Sequence, residues 1–363
     1  MKGILQISII LIVSMSSFAQ SRILVYHETN QFRHESINAG ISMFEDLGNE
    51  NGDWITDNSQ DSSVFTASNL AQYDAVVFLN TSGSDETGGD GDLLSASEKI
   101  ALENFIASGK GFVGVHAATD TYRDGVWPFY NELVGAIVQT SPNHTANNFN
   151  ADMEVITSHP IIDFLGPLGS IWNKDEEYYY WQINGGQLST DNTVLLEVEQ
   201  TGSNPYDAAR PITWYKEAIT YDDDGDGATP EVTLSGIRSF YTALGHNSSD
   251  YNNNTNFRTM LKNATLWAIG DALSVTEQSM GRLKVYPNPM EDYIIISMPN
   301  YTSPSAKVSV FNGTGQIILT TQIDGLHSSG NNYRLEMGNL KSGVYLLELK
   351  SDDETEQIKF VKK

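Results

Sequence analysis

The sequence predicts an α/β domain built on a mainly parallel sheet, followed by a small all-β sandwich. Two observations lead there. Between residues 22 and 270, short apolar runs rich in Val, Ile and Phe alternate with stretches that are apolar at helical spacing. That is the pattern of strand–helix–strand units whose strands are buried on both faces. From residue 283 onward the helical period vanishes, and short alternating segments follow one another between turn residues, as in a sandwich. The domains are therefore set at 20–272 and 283–363, with a linker over 273–282.

Residues 1–19 read as a cleavable signal peptide. Lys2 gives a positive start, Ile4 to Val13 form an apolar run broken by Gln6 and Ser8, and Ser17-Phe18-Ala19 supplies small residues on either side of Phe18, leaving Gln20 as the new amino terminus. The run is too short for a permanent anchor, and no later stretch reaches spanning length, so no transmembrane anchor is expected in the mature form. Strands follow at Ile23–Tyr26, Ala75–Leu79 and Gly111–Val115. A helix over Ser97–Ile106, opened by Ser95 or Ser97, precedes the third strand, and Gly109 and Gly111 end the helix and launch the strand. Further strands are expected at Thr193–Val198, Pro211–Tyr215 and Ile237–Thr242, and a helix over Asn256–Ile269 closes the domain.

A chain of 363 residues without cysteine has no disulfide, no thiolate nucleophile and no cysteine metal ligand. Its stability rests on core burial, for which a hydrophobic fraction of 40% suffices. The net charge of −25 falls almost wholly on the first domain, because residues 276–363 carry nine basic and ten acidic side chains. A domain this acidic repels phosphate backbones, so no nucleic acid partner is expected. Neutral sugars, cations and basic surfaces remain open.

Four phrases occur in a recognisable order: Gln31-Phe32-Arg33-His34-Glu35-Ser36-Ile37, Tyr73-Asp74-Ala75-Val76-Val77-Phe78-Leu79-Asn80, Gly111-Phe112-Val113-Gly114-Val115-His116-Ala117-Ala118-Thr119-Asp120 and Phe240-Tyr241-Thr242-Ala243-Leu244-Gly245-His246. Together they resemble the trehalose-utilization (ThuA-like) family over nearly all of 22–270. The resemblance implies the fold of class I glutamine amidotransferases, a flavodoxin-like three-layer arrangement with helices on both faces of the sheet. It also implies carbohydrate catabolism, with a disaccharide or keto-sugar as substrate. Amidotransferases place a Cys nucleophile in a strained strand-to-helix elbow. Here the corresponding turn carries His116 followed by Ala117-Ala118, which excludes glutaminase chemistry by a thiolate.

In an open parallel sheet, ligands sit beyond the carboxyl ends of the strands. The first strand runs into His27-Glu28 and then Arg33-His34, the third into His116 and Asp120, and the one ending near Leu244 into His246. At least four of the six histidines in 20–272 are thus expected on one rim. Imidazoles beside a carboxylate either bind a divalent metal through neutral nitrogens or shuttle protons near neutral pH, and the sequence leaves both open. The stretch Asp175-Glu176-Glu177-Tyr178-Tyr179-Tyr180-Trp181 resembles the family's acidic-aromatic segment and offers carboxylates to hydroxyls and ring faces to a sugar. His116, His246, Asp120 and Glu176 are therefore the candidate catalytic residues, with His27, Arg33, His34 and Trp181 as candidate substrate contacts. His159, before Pro160, reads as a loop or cap residue, and His144 is open to either use.

Asp222-Asp223-Asp224-Gly225-Asp226-Gly227 has the oxygen spacing of the front half of a calcium loop, but Thr233 stands where the bidentate Glu belongs. Asp222, Asp224 and Asp226 are thus a weak calcium candidate at what reads as a solvated hairpin tip. In the second domain, Val285-Tyr286-Pro287-Asn288-Pro289, Leu340-Lys341-Ser342-Gly343-Val344-Tyr345 and the basic end Lys359–Lys363 resemble the carboxyl-terminal sorting domain of type IX secretion substrates. That resemblance implies the type IX machinery as a partner and a secreted or cell-surface location.

Two functions are compatible with these readings. One is an enzyme that breaks down a carbohydrate-like small molecule, a hydrolase or lyase, with a divalent metal as its optional cofactor. The other is a non-catalytic carbohydrate-binding or surface-interaction protein on the same scaffold. Convergence of the histidines and a carboxylate in one pocket favours the first; dispersal favours the second.

Overall fold

The computed structural model describes residues 20–83, 93–123, 125, 127–222, 232–270, 284–298, 305–312, 316–324, 331–350 and 355–363. The signal peptide, the linker, and Asp224 and Asp226 of the acidic loop lie outside the described residues. Two compact units divide between Leu273 and Ser274.

The first unit begins β1 (Ser21–Tyr26), α1 (Ile37–Asn51), β2 (Trp54–Ser59), α2 (Ala67–Leu70), β3 (Ala75–Leu79), α3 (Ala96–Ala107) and β4 (Gly111–Val115). It continues with α4 (Pro128–Val134), β5 (Ala136–Ile137), β6 (Phe149–Val155), β7 (Ile171–Glu176), β8 (Gln187–Leu188), β9 (Thr193–Val198), β10 (Arg210–Tyr221), β11 (Val232–Thr242), α5 (Ser248–Asn253) and α6 (Thr255–Ile269). The main sheet has the order β2-β1-β3-β4-β11-β10-β9-β6-β7. Its first five strands are parallel, in the flavodoxin order with β11 in the fifth place. The remaining four add on antiparallel.

Sequence explains the local choices. Every residue of β3 and β4 is buried, which is why these strands read as continuous apolar runs. Ser95 caps α3, its backbone N–H donating to Glu98 Oε2 at 2.7 Å. The Asn254 side chain accepts from the Phe257 N–H at 3.1 Å to open α6. Gly111 and Gly114, three apart on β4, point to opposite faces. A Cβ on Gly111 would lie 2.3 Å from the Ala268 carbonyl of α6, and one on Gly114 would lie 3.2 Å from Val134 of α4. Helices therefore press on both faces of the strand that leads to His116, giving three layers around one core.

The sequence pattern did not show β2, β6, β7 or the short β5 and β8, and two of these explain why. On β7 the buried positions are Trp172, Lys174 and Glu176, so a charged pair interrupts the apolar alternation that marks a strand. On β2 only Trp54 is buried.

The second unit holds β12 (Lys284–Tyr286), β13 (Tyr293–Met298), β14 (Ser305–Asn312), β15 (Ile317–Asp324), β16 (Asn331–Glu336), β17 (Gly343–Lys350) and β18 (Thr355–Lys362). They form two antiparallel sheets, β12-β13-β16 and β15-β14-β17-β18. Ile294 and Ile296 from one sheet and Val308, Val310, Leu347 and Leu349 from the other share a single core.

Candidate metal centre

His116 follows β4 directly, in the left-handed region at φ 48°, which costs a non-glycine residue about 1 kcal/mol. The surroundings hold it there. Its carbonyl accepts from the Tyr241 hydroxyl at 2.7 Å, and its Nδ1 lies 2.6 Å from the Ala243 carbonyl. That contact requires the proton on Nδ1 and leaves the Nε2 lone pair facing the site.

His34, from the loop after β1, stands edge-on to His116 with its Nε2 3.2 Å from His116 Nε2. Burial lowers its pKa to about 4, so it is neutral near neutral pH. His246, beyond β11, places Nδ1 3.2 Å from Glu177 Oε2. The same Glu177 oxygen is 3.3 Å from His116 Nε2 and 4.0 Å from His34 Nε2. Burial alone would raise Glu177, but His116, His246 and His34 around it hold the carboxyl well below its usual range. The Glu177 carboxylate in turn raises His246.

These residues fit a divalent ion. One donor atom from each of His34, His116, Glu177 and His246 lies within 4.8 Å of all the others. A tetrahedral ion with bonds of about 2.0–2.1 Å separates its ligand atoms by about 3.4 Å, the range of three of the separations above. The ring nitrogens also behave as ligands do: His246 Nδ1 is buried beside Glu177 yet has no aligned hydrogen-bond partner. Three imidazoles and one carboxylate suit zinc or a similar borderline ion, which binds the neutral ring nitrogens.

The supporting shell comes from β7 and its neighbours. Glu176 is fully buried and accepts from Lys174 Nζ at 2.7 Å and from the backbone N–H groups of Gly245, His246 and Glu177 at 2.9, 3.2 and 2.9 Å. Burial opposes its charge, but Lys174 and His116 prevail and lower its pKa. Lys174 also pairs with Asp250 at 2.9 Å. On the other side of Glu177, Oε1 lies 3.2 Å from His144 Nδ1.

The centre opens into a cleft of about 310 Å³, lined also by Phe32, Asp120, Asn143, His144, Asn147 and Tyr179. Burial raises Asp120 to about 6, against the pull of Arg123 at 3.1 Å and of His116. Phe32 is 63% exposed at this cleft, which leaves its ring face available to a ligand.

The structure thus brings His34, His116 and His246 together and sets Asp120 on the cleft wall. Glu176 lies beneath the centre, with its carboxylate taken up by Lys174 and the backbone. His27 and Arg33 bind each other, Arg33 Nη2 lying 3.3 Å from His27 Nδ1 and Nη1 donating to the His27 carbonyl at 2.8 Å. Trp181 is buried between Trp214 and Tyr241, its indole N–H donating to the Pro211 carbonyl at 2.9 Å. Asp222 directly follows β10, which pairs antiparallel with β11, and none of the ligand contacts above involves it. Glu177 and Tyr179 were not singled out from the sequence; their only signal was membership of the acidic-aromatic stretch.

A family model described as trehalose utilisation (ThuA) matches residues 22–268, and one described as a secretion system C-terminal sorting domain matches residues 284–363. Among solved structures, a protein of Bacteroides uniformis described as ThuA-like is 18% identical, with 70% of this chain and 94% of that chain covered at a TM-score of 0.47. Another ThuA-like protein, of Parabacteroides merdae, is 15% identical, with 71% and 94% covered at a TM-score of 0.48. No protein of curated function matches. The sorting domain marks the chain for type IX secretion to the cell surface or the extracellular space and makes that machinery its partner. Among the described residues no helix is long and apolar enough to cross a membrane.

Proposed function

The chain belongs to the trehalose-utilisation (ThuA) family, and from that premise we propose that it is a sugar-processing hydrolase or lyase whose His34, His116, His246 and Glu177 hold a divalent ion. One observation carries the reading: three imidazoles from three separate loops converge on one carboxylate oxygen at the floor of an open cleft. A surface-interaction protein has no need to bury such a set.

When bound, the ion supplies Lewis acidity toward a substrate oxygen. The chain's own residues do the rest. Asp120, raised to about 6, is placed on the cleft wall to accept or return a proton near neutral pH. Asn143 and Asn147 offer amide donors and acceptors to hydroxyl groups, and Phe32 offers a ring face to the apolar side of a sugar. Glu176 fixes the backbone at both Glu177 and His246, and so sets their spacing. His27, Arg33 and Trp181 support the loops and the core in this reading.

The test combines metal analysis of the chain from Gln20 to Lys363 with a turnover screen on disaccharides and their oxidised keto forms. Stoichiometric metal and turnover that is lost in His116→Ala and on chelation are expected. Turnover that survives both treatments removes the centre from the reaction.

A further inference from the structure

We infer that Tyr179 is a further ligand-contacting residue, whose phenol donates a hydrogen bond to the oxygen that a substrate presents at the metal centre. The inference rests on the metal reading above. The Tyr179 ring lies nearly parallel to the His116 imidazole, with centroids 4.7 Å apart at 22°. Its hydroxyl is 3.2 Å from His116 Nε2, the one hydrogen-bond partner of that hydroxyl among the described residues. In the neutral tautomer whose Nδ1–H bonds the Ala243 carbonyl, the form that binds an ion, Nε2 is the acceptor and the phenol is the donor.

An ion held by His116 takes that same lone pair. The phenol then keeps its proton and loses its acceptor, and an unpaired buried donor is destabilising. Tyr179 is buried yet lines the cleft, so a replacement acceptor arrives from the cleft side. The position is fixed beforehand: Arg210 Nε donates to the Tyr179 carbonyl at 2.7 Å, and the ring is stacked. A donor preset beside a Lewis-acid site selects ligands that bring a carbonyl or alkoxide oxygen, on which negative charge builds. The metal site and this phenol together therefore favour a keto or α-hydroxy-carbonyl group over a simple hydroxyl.

The experiment loads cobalt(II) into the chain from Gln20 to Lys363 and into Tyr179→Phe, which keeps the stacked ring. Acetohydroxamate, a probe that binds metals through oxygen, is titrated while the cobalt absorption is followed, and cobalt affinity is measured by calorimetry on the same preparations. Cobalt affinities equal within about threefold, with acetohydroxamate bound at least about tenfold more weakly by the variant, are expected. Equal acetohydroxamate affinity overturns the role of Tyr179 and leaves the metal centre standing. A cobalt affinity that falls as far as the probe affinity makes Tyr179 a mere support and also overturns the role. Failure of the unsubstituted chain to hold cobalt overturns both readings.

Discussion

The carboxylates of Glu176 and Glu177, neighbours at the end of β7, serve opposite sides of the chain. Glu176 is fully buried and accepts from Lys174 and the N–H groups of Gly245, His246 and Glu177, whereas Glu177 faces the cleft among four imidazoles. Successive side chains of an extended strand alternate, so the two can divide the work without any turn between them.

Their substitutions should separate accordingly. Glu177→Gln keeps the shape of the side chain and removes a metal ligand, so zinc affinity should fall at least about hundredfold with little change in the urea midpoint. Glu176→Gln leaves the buried Lys174 with Asp250 as its remaining carboxylate partner, beside the Asp175 carbonyl, and should cost about 3 kcal/mol of stability in urea unfolding. If both variants lose stability equally and keep zinc, the division is wrong.

The histidines offer a second separation. His34→Gln and His116→Gln should each abolish stoichiometric zinc as read by elemental analysis. His27→Gln and His159→Gln should retain it, because His27 is held by Arg33 and His159 packs on Tyr215 with ring centroids 4.4 Å apart. Zinc loss in either control would mean that the centre extends beyond the four residues assigned to it.

Much of this was legible before any coordinates. The rule that ligands gather past the carboxyl ends of parallel strands picked out His34, His116, Asp120 and His246, because β1, β4 and β11 announce themselves as apolar runs. Glu177 and Tyr179 come from β7, which enters antiparallel at the far edge of the sheet and hides a Lys–Glu pair on its buried face. Without the register of that strand, nothing distinguishes Glu176 from Glu177. His27 and Trp181 show what the chain order cannot: His27 is engaged by Arg33, and Trp181, two residues past Tyr179, continues from that ring into the core against Trp214 and Tyr241.

Trp181 makes that last point measurable. Buried at 1% exposure against Trp214 and Tyr241, it fills core volume, so Trp181→Ala should cost about 4 kcal/mol in chemical unfolding. Trp181→Phe should recover most of that stability and bind ligand like the original chain. A loss of ligand affinity in the Phe variant at unchanged stability would return Trp181 to the binding surface.

Asp120 sets a pH dependence whose sign follows from its surroundings. Its pKa is raised from 3.8 to about 6, chiefly by burial, with His116, Glu177 and Arg123 as the charged groups that act on it. Below about pH 4 the folded and unfolded chains both hold the proton, and the stabilisation is fully present. As pH rises toward 6 the unfolded carboxyl ionises first, so stability drains away; above 6 the folded carboxyl ionises too and the loss levels off at roughly 1–3 kcal/mol. Asp120→Asn has no proton to lose. The difference in urea stability between the metal-free parent and this variant should therefore shift against the parent between pH 4 and 6 and stay constant from 6.5 to 8. Taking the difference cancels the other titrating groups to first order, and a flat difference across the whole range would show that Asp120 is an ordinary carboxylate and unsuited to proton transfer near neutral pH.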